Sequence, residues 1–412
     1  MIHEEFRKGW KALFAGVVGV TTGASPIPFN VLPIVIGPIH FAMGWSFLQI
    51  SIGITIYGMV GAFLAPAVGA LADKIGVKPV AMASLTGFGI AFSLLYFTPD
   101  NIYVFYAIWA LVGMLGIGST PVTWSRTINM WFYENKGLAL GILLLGTSIA
   151  GLIVPQIANA VVEAASWREV FPVMALLPLL VGLPIAFFLF RDPSPSERPK
   201  EIRSATGELT GFGLREALQH YRFWILFASV VCIALAYGGA HIHMVQIVQM
   251  HGLTPGQAAT VMGVVASGIF AGRVIVGLLF DKFWAPAVAF PVLLLPVAAC
   301  AFLLGTGTSQ PLIFLAGFLL GFAAGAESDV IAYLAARYFG MISYGRIYGF
   351  LYAPFGIFSS ISPVLYGYTR DTTGSYDNML IFAMGLFAVG GFLLLLLGKY
   401  PDWKTTERTV MA

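Results

Sequence analysis

Residues 267–283, SGIFAGRVIVGLLFDKF, read as the closing turns of a membrane-spanning helix with one arginine, Arg273, set inside it. An arginine in hydrocarbon costs at least about 2.5–3.5 kcal/mol. It persists where it faces a wet cavity, a counter-charge or an anionic ligand. Counted back from Asp281, where the helix meets its loop, Arg273 lies eight residues in, about 12 Å at 1.5 Å per residue and near the membrane midplane.

The composition around this stretch excludes a soluble fold. Of 412 residues, 58% are hydrophobic and only 10% are charged, and the mean hydropathy is +0.86; a soluble domain carries about 25% charged residues. The net charge of +3 is too small to argue for nucleic acid. Cys232 and Cys300 fall in apolar runs and read as buried free thiols, a weak basis for a metal or a disulfide. No cleavable signal peptide is expected, because the charged amino end MIHEEFRKGWK leads into a run long enough to span.

Twelve apolar runs of spanning length follow: 12–38, 47–71, 79–98, 101–124, 137–162 and 169–190, then 222–248, 257–280, 286–307, 311–336, 346–368 and 377–398. Between the two sets lies the long polar stretch 191–221, a linker in which LREALQHY has the pattern of a short amphipathic surface helix. With the amino end on one side, 19 of the 22 basic residues collect there, leaving Arg168 and Arg370 opposite and Arg273 within the membrane. The positive-inside rule then places both termini and the linker in the cytoplasm.

The tail of the opening stretch recurs. GALADKIGVKP, Gly69 to Pro79, is matched 208 residues later by GLLFDKFWAP, Gly277 to Pro286, and Trp131-Phe132 by Tyr338-Phe339 at 207. Two matches at nearly one offset indicate a duplicated six-helix unit with parallel halves. The expected fold is an all-α membrane protein, twelve transmembrane helices in two pseudo-symmetric six-helix bundles: 1–190, a linker 191–221, and 222–412.

These residues resemble the major facilitator superfamily. GALADKIGVKP is similar to its loop between helices 2 and 3, with Val77 where a basic residue is usual. SRTINMWFYENKGLALGI, RYFGMISYGRIYG and the lone helix-8 arginine resemble the oxalate/formate antiporter and monocarboxylate transporter group. The chain departs from that group in three places. The amino-terminal Gly/Trp signature survives only as Gly9-Trp10. The helix-8 aspartate of the mammalian members is replaced by Ile269, and the second cation of the oxalate antiporter, a helix-11 lysine, falls near Phe355. The resemblance implies alternating access and, with one cation instead of two, a substrate with one carboxylate. In relatives the loop aspartate pairs with the arginine ending helix 4, which implies an Asp73–Arg126 contact here.

The residues themselves supply the candidate chemistry. Arg273 offers a planar fork that matches a carboxylate; the competing reading is a structural ion pair. Glu327 and Asp329 are the only acids deep in a helix, and either is a candidate partner for Arg273 and carrier of a coupling proton. Two residues apart, they point about 200° from each other, so only one can face Arg273. His243, two residues after His241, is a candidate cavity-lining donor. Asn30, among Pro26, Pro28 and Pro33, is a candidate substrate hydrogen-bonder or a rescuer of freed backbone. Trp124 is a candidate aromatic surface on the neutral amino-half cavity wall, and Tyr237, Tyr352, Phe355 and Phe358 are candidates for an aromatic cage, though aromatics are more often packing. Asp73, Arg126, Asp281 and Arg337, at cytoplasmic helix ends, form a candidate gate.

The function expected from this pattern is secondary transport of a small organic anion, a monocarboxylate, aromatic ones included, with proton symport. Anion exchange and proton-coupled efflux of amphipathic compounds are the alternatives. No metal, cofactor or nucleic-acid partner is expected. A nucleotide motif, a catalytic nucleophile or a sizeable signalling segment would be needed for a pump, an enzyme or a receptor, and none is apparent. The expected setting is a bacterial inner membrane, with the chain acting as a monomer.

Overall fold

The structure, a computed structural model, describes residues 2–132, 135–194, 197, 211–280, 282–340 and 343–401, without the side chains of 2–3, 73, 136–137, 328–329 and 345. Twelve helical segments are long and apolar enough to cross a membrane. They are α1 (Glu4–Met43), α2 (Phe47–Ala72), α3 (Val77–Phe97), α4 (Ile102–Trp131), α5 (Leu138–Ala164), α6 (Trp167–Leu189), α7 (Tyr221–Ile242), α8 (Pro255–Phe280), α9 (Ala285–Phe302), α10 (Gln310–Phe339), α11 (Arg346–Thr373) and α12 (Asp377–Leu395). The segment LREALQ forms a short helix, Leu214–Gln219, before α7. Below, the membrane face carrying the 191–221 segment is the linker side, and the other is the far side.

Span α1 is two helices, Ile2–Thr21 and Pro26–Met43. The break lies at 22–25, ahead of the prolines, while Pro33 and Pro38 sit inside the second helix. In an unbroken helix Ala24 would bond to residue 28, a proline with no N–H. Its carbonyl accepts instead from the Tyr57 hydroxyl of α2, and its N–H donates to Ser119 Oγ at 3.0 Å. Neighbouring spans therefore supply the polar partners that lipid cannot.

The packing repeats between the halves. α2 lies on α4 as α8 lies on α10, and α1 on α5 as α7 on α11. The α8–α10 contact is backbone on backbone: a Cβ added to Gly321 or Gly325 would collide with the Val265 or Ile269 carbonyl oxygen. This parallel register sets Arg273 of α8 level with Glu327 of α10. The halves meet along two related seams, α2 with α11 and α5 with α8.

Candidate functional site

Arg273 projects from α8 into the α5–α8 seam. Its Nη1 donates to the Leu144 carbonyl at 2.8 Å and to Thr147 Oγ1 at 3.1 Å. Both acceptors are neutral, and both belong to the opposite half. The side chain is half-buried. Above it, toward the far side, Gly151 packs on Ala266, and Gln156 Nε2 donates to the Ala259 carbonyl at 2.7 Å. Below it, Gly141 and Gly277 lie opposite one another, and a Cβ on either would meet nothing within 4 Å among the described residues.

The α2–α11 seam has the same polarity. At its far-side end Asp371 accepts from the Phe47 and Leu48 N–H groups at 3.0 and 2.8 Å, an anion on the positive end of α2. Deeper in, Thr55 donates to the Ser360 carbonyl at 2.5 Å, and Gly58 faces Ser360. Beyond that point Gly356 and Gly349 of α11 face open space. Gln246, just past α7, donates to the Pro33 carbonyl of α1 at 2.9 Å. Among the described residues the halves are thus bonded from mid-depth to the far side, and the space between them opens to the linker side.

Glu327 is level with Arg273, yet no ion pair joins the two among the described contacts. It is 4% exposed, and its Oε1 has no hydrogen-bond partner among the described residues. It borders a small closed cavity of about 10 Å³ inside its own half, with Ser229 and Val230 of α7, Val292 of α9 and Leu394 of α12. Tyr237 of α7 and Tyr352 of α11 lie within electrostatic reach of both Glu327 and Arg273. Tyr352 belongs to a ladder of rings on α11, Tyr344, Tyr348, Tyr352 and Phe355, with centroids 5.7, 5.6 and 5.3 Å apart. Phe358 is half-buried one turn farther along the same helix.

Two candidates lie away from the open space in this structure. His243 does not line it. It is 0% exposed and sits in the far-side seal: Nε2 lies 3.1 Å from Ser51 Oγ of α2 and 3.0 Å from the Pro363 carbonyl, and Nδ1 lies 3.0 Å from the Tyr376 hydroxyl. Trp124 is not an aromatic surface on the amino-half wall. It is 0% exposed, packed on Gly19 and Phe190, and its indole N–H donates to the Ser119 carbonyl at 3.0 Å.

Asn30 is 7% exposed and its side-chain amide donates to the Pro26 carbonyl at 2.8 Å; its Oδ1 points toward Gly151 of α5. Of the four gate candidates, Arg126 donates to the Gly69 carbonyl at the linker end of α2 at 2.9 Å, and Arg337 stacks on Tyr400 at 4.5 Å. Asp281 and the side chains of Asp73 and Asp329 lie outside the described residues. Sequence reading missed the far-side residues Ser51, Gln246, Ser360 and Asp371, and Arg273's acceptors Leu144 and Thr147. Asp371 carried a signal: it adjoins Arg370, one of only two basic residues on that face.

Residues 18–363 match the family described as the Major Facilitator Superfamily. The chain is 25% identical over 371 residues to the probable sulfoacetate transporter SauU of Cupriavidus necator, covering 82% of this chain and 84% of that one. It is 23% identical over 366 residues to monocarboxylate transporter 13 of Rattus norvegicus, covering 85% and 79%. Its fold is similar to the crystal structure of a bacterial homologue of the human lysosomal transporter Spinster, solved inward-facing and occupied. The TM-score is 0.71 at 15% identity, covering 93% of this chain and 96% of that one.

Proposed function

This chain belongs to the major facilitator superfamily of transporters, and from that premise we propose that it carries a small organic monocarboxylate across the cell membrane by alternating access, in symport with a proton. The observation that carries the reading is the Arg273 guanidinium, held between the halves at mid-depth and bonded to two neutral oxygens of the opposite half. A carboxylate is a better acceptor than either, since charge-assisted bonds are roughly twice as strong as neutral ones. An arriving anion would compete for Arg273 and loosen the bonds that tie α8 to α5. Anion binding and movement of the halves would then be one event.

The proton belongs on Glu327 in this reading. Glu327 is buried at the depth of Arg273, and its Oε1 has no hydrogen-bond partner among the described residues, so it offers a carboxyl on which a proton can travel. The Tyr352–Phe355 rings offer an apolar wall to a substrate tail, aromatic tails included. The sulfoacetate and monocarboxylate names of the two relatives agree with an anionic cargo. The basic-residue asymmetry supports a cytoplasmic linker side, with the cavity open to the cytoplasm. Anion exchange is the second reading, favoured by Ile269 standing where the mammalian members carry the helix-8 aspartate.

Counterflow of labelled carboxylates in liposomes tests the anion site. Arg273→Ala should abolish counterflow, and a thermal-shift screen of carboxylic acids should lose its hits in the same variant. Counterflow that survives the substitution defeats the anion reading. Uptake driven by a pH gradient tests the proton. Glu327→Gln should stop it while counterflow continues. Persistence in both Glu327→Gln and Asp329→Asn would leave exchange standing and symport not.

A further inference from the structure

A second cationic place lies away from the seams, at the linker-side end of the carboxy-terminal half. There a groove of about 650 Å³ is lined by Lys282, Trp284, Tyr333, Arg337, Lys399 and Tyr400, among others. Its described lining holds three cations and no acid. All three are exposed, but the walls are built rather than loose. The Tyr400 hydroxyl accepts the Ala285 N–H at 3.0 Å, and the Tyr333 hydroxyl donates to the Phe280 carbonyl at 3.0 Å. Between these rings Arg337 lies 4.5 Å from Tyr400 and 5.8 Å from Tyr333. Stacking of this kind fixes a guanidinium plane and leaves its N–H edge for an anion. Lys399 is placed by its own backbone: Arg222 donates to the Leu397 and Lys399 carbonyls at 2.8 and 3.1 Å, and Tyr338 to the Gly398 carbonyl at 2.5 Å.

What lies beside the groove indicates the source of the anion. At 100° per residue, Leu278 sits about 140° round α8 from Arg273, on the face turned from the other half, and Lys282 follows just past the helix end. Leu278 is 61% exposed and Phe283 is 60% exposed. Hydrocarbon-facing side chains thus run directly up to a cluster of cations at the membrane edge. A soluble anion would use only the second of these features.

We propose that this groove binds the phosphate headgroup of an anionic phospholipid, with Lys282, Arg337 and Lys399 on the phosphate and an acyl chain along Leu278 and Phe283. The bound lipid joins the ends of α8, α10 and the segment after α12 and steadies the half that carries Arg273. The site stands independently of the cargo of the transporter.

Native mass spectrometry of the purified full-length protein tests it. Phosphatidylglycerol should be retained over phosphatidylcholine of the same acyl chains. The Lys282→Gln/Lys399→Gln double variant should bind phosphatidylglycerol more weakly by on the order of tenfold, while Lys74→Gln, an exposed cation at the linker end of α2, should bind as the parent does. Soluble glycerol phosphate should not displace the lipid. Unchanged binding in the double variant, or an equal loss in Lys74→Gln, overturns the site. Displacement by glycerol phosphate overturns the lipid assignment in favour of a soluble phosphate. A photoactivatable phosphatidylglycerol tests the location without any substitution: label on residues 278–284 or 399–401 supports the groove, and label confined elsewhere refutes it.

Discussion

Along α5 and α8, Gly151 is packed on Ala266 while Gly141 and Gly277, farther down the same two helices, face open space. Along α2 and α11 the contrast repeats, with Gly58 against Ser360 and Gly367 against the Leu48 backbone on one side, and Gly356 and Gly349 open on the other. The closed half of each seam uses small residues and neutral hydrogen bonds, with Asp371 on a helix end, and no ion pair crosses it among the described residues. Bonds of this kind contribute about 0.5–1.5 kcal/mol each, net. A seal made from a handful of them is firm enough to exclude water and weak enough to be exchanged for a matching seal at the other end. In the proposed alternating-access cycle the difference between the two ends is a state of the molecule, and not a property of two kinds of surface.

The largest effects come from filling the glycines. A Cβ on Gly367 would lie 2.8 Å from the Leu48 N, so Gly367→Leu forces the far-side seam apart and should destabilise this state by about 1–3 kcal/mol, as overpacking does, with transport lost. Gly277→Leu places its side chain in open space and should leave the melting temperature nearly unchanged. Transport should still be lost, because the linker-side seam can no longer close. Thermal melts and counterflow on the two variants, side by side, check this. A large loss of stability in Gly277→Leu would show that the linker-side gap is not open in solution.

Asp371→Asn should have a smaller effect. It keeps the shape but weakens two bonds from the start of α2 to a full negative charge. Helix-end charges are worth about 0.3–1 kcal/mol, so the far-side-open population should rise a few-fold. Spin-label distances across the far side would report it. Ser51→Ala ranks next. It removes one of the three groups around the His243 ring and leaves the Pro363 and Tyr376 partners in place, so a loss of about 0.5 kcal/mol, the low end for one hydrogen bond, and about a twofold rise in the same far-side-open population are expected.

The fold was legible because hydrocarbon is a demanding solvent. It requires long apolar runs, and it makes Arg273 conspicuous at once. The duplicated loop at Gly69 and Gly277 then supplied the symmetry. What remained hidden was direction. The depth of Glu327 follows from counting residues, but its place beside the small cavity bordered by Ser229 and Leu394 depends on which helices surround α10. His243 looks the same in sequence whether it faces water or is sealed beneath Ser51 and Pro363. Leu144 offers Arg273 only a carbonyl, a group every residue has, so no side-chain pattern could have named it.

The smallest effect is expected where a charge pair sits on the linker side but, among the described residues, touches only the amino-terminal half, with Arg191 4.9 Å from the Trp131 ring. Arg191 donates twice to Glu197 at 2.7 Å, and Ser194 adds its N–H and hydroxyl. Those bonds, the guanidinium first, hold the Glu197 carboxyl down at about 2. A lowered carboxyl contributes stability above its ordinary value and loses it as the pH falls toward about 2. The pair should therefore be fully formed from pH 7 down to pH 5, and exposed pairs contribute little and are screened by salt. Because Arg191, Ser194 and Glu197 do not span the gap between the halves, Glu197→Gln should leave the far-side and linker-side distances unchanged over that range. A carboxyl titration by NMR should show its midpoint near 2. A shift in the distances would mean that the linker itself takes part in closing the open side, and the contrast between the two ends would then need a third element besides the seams.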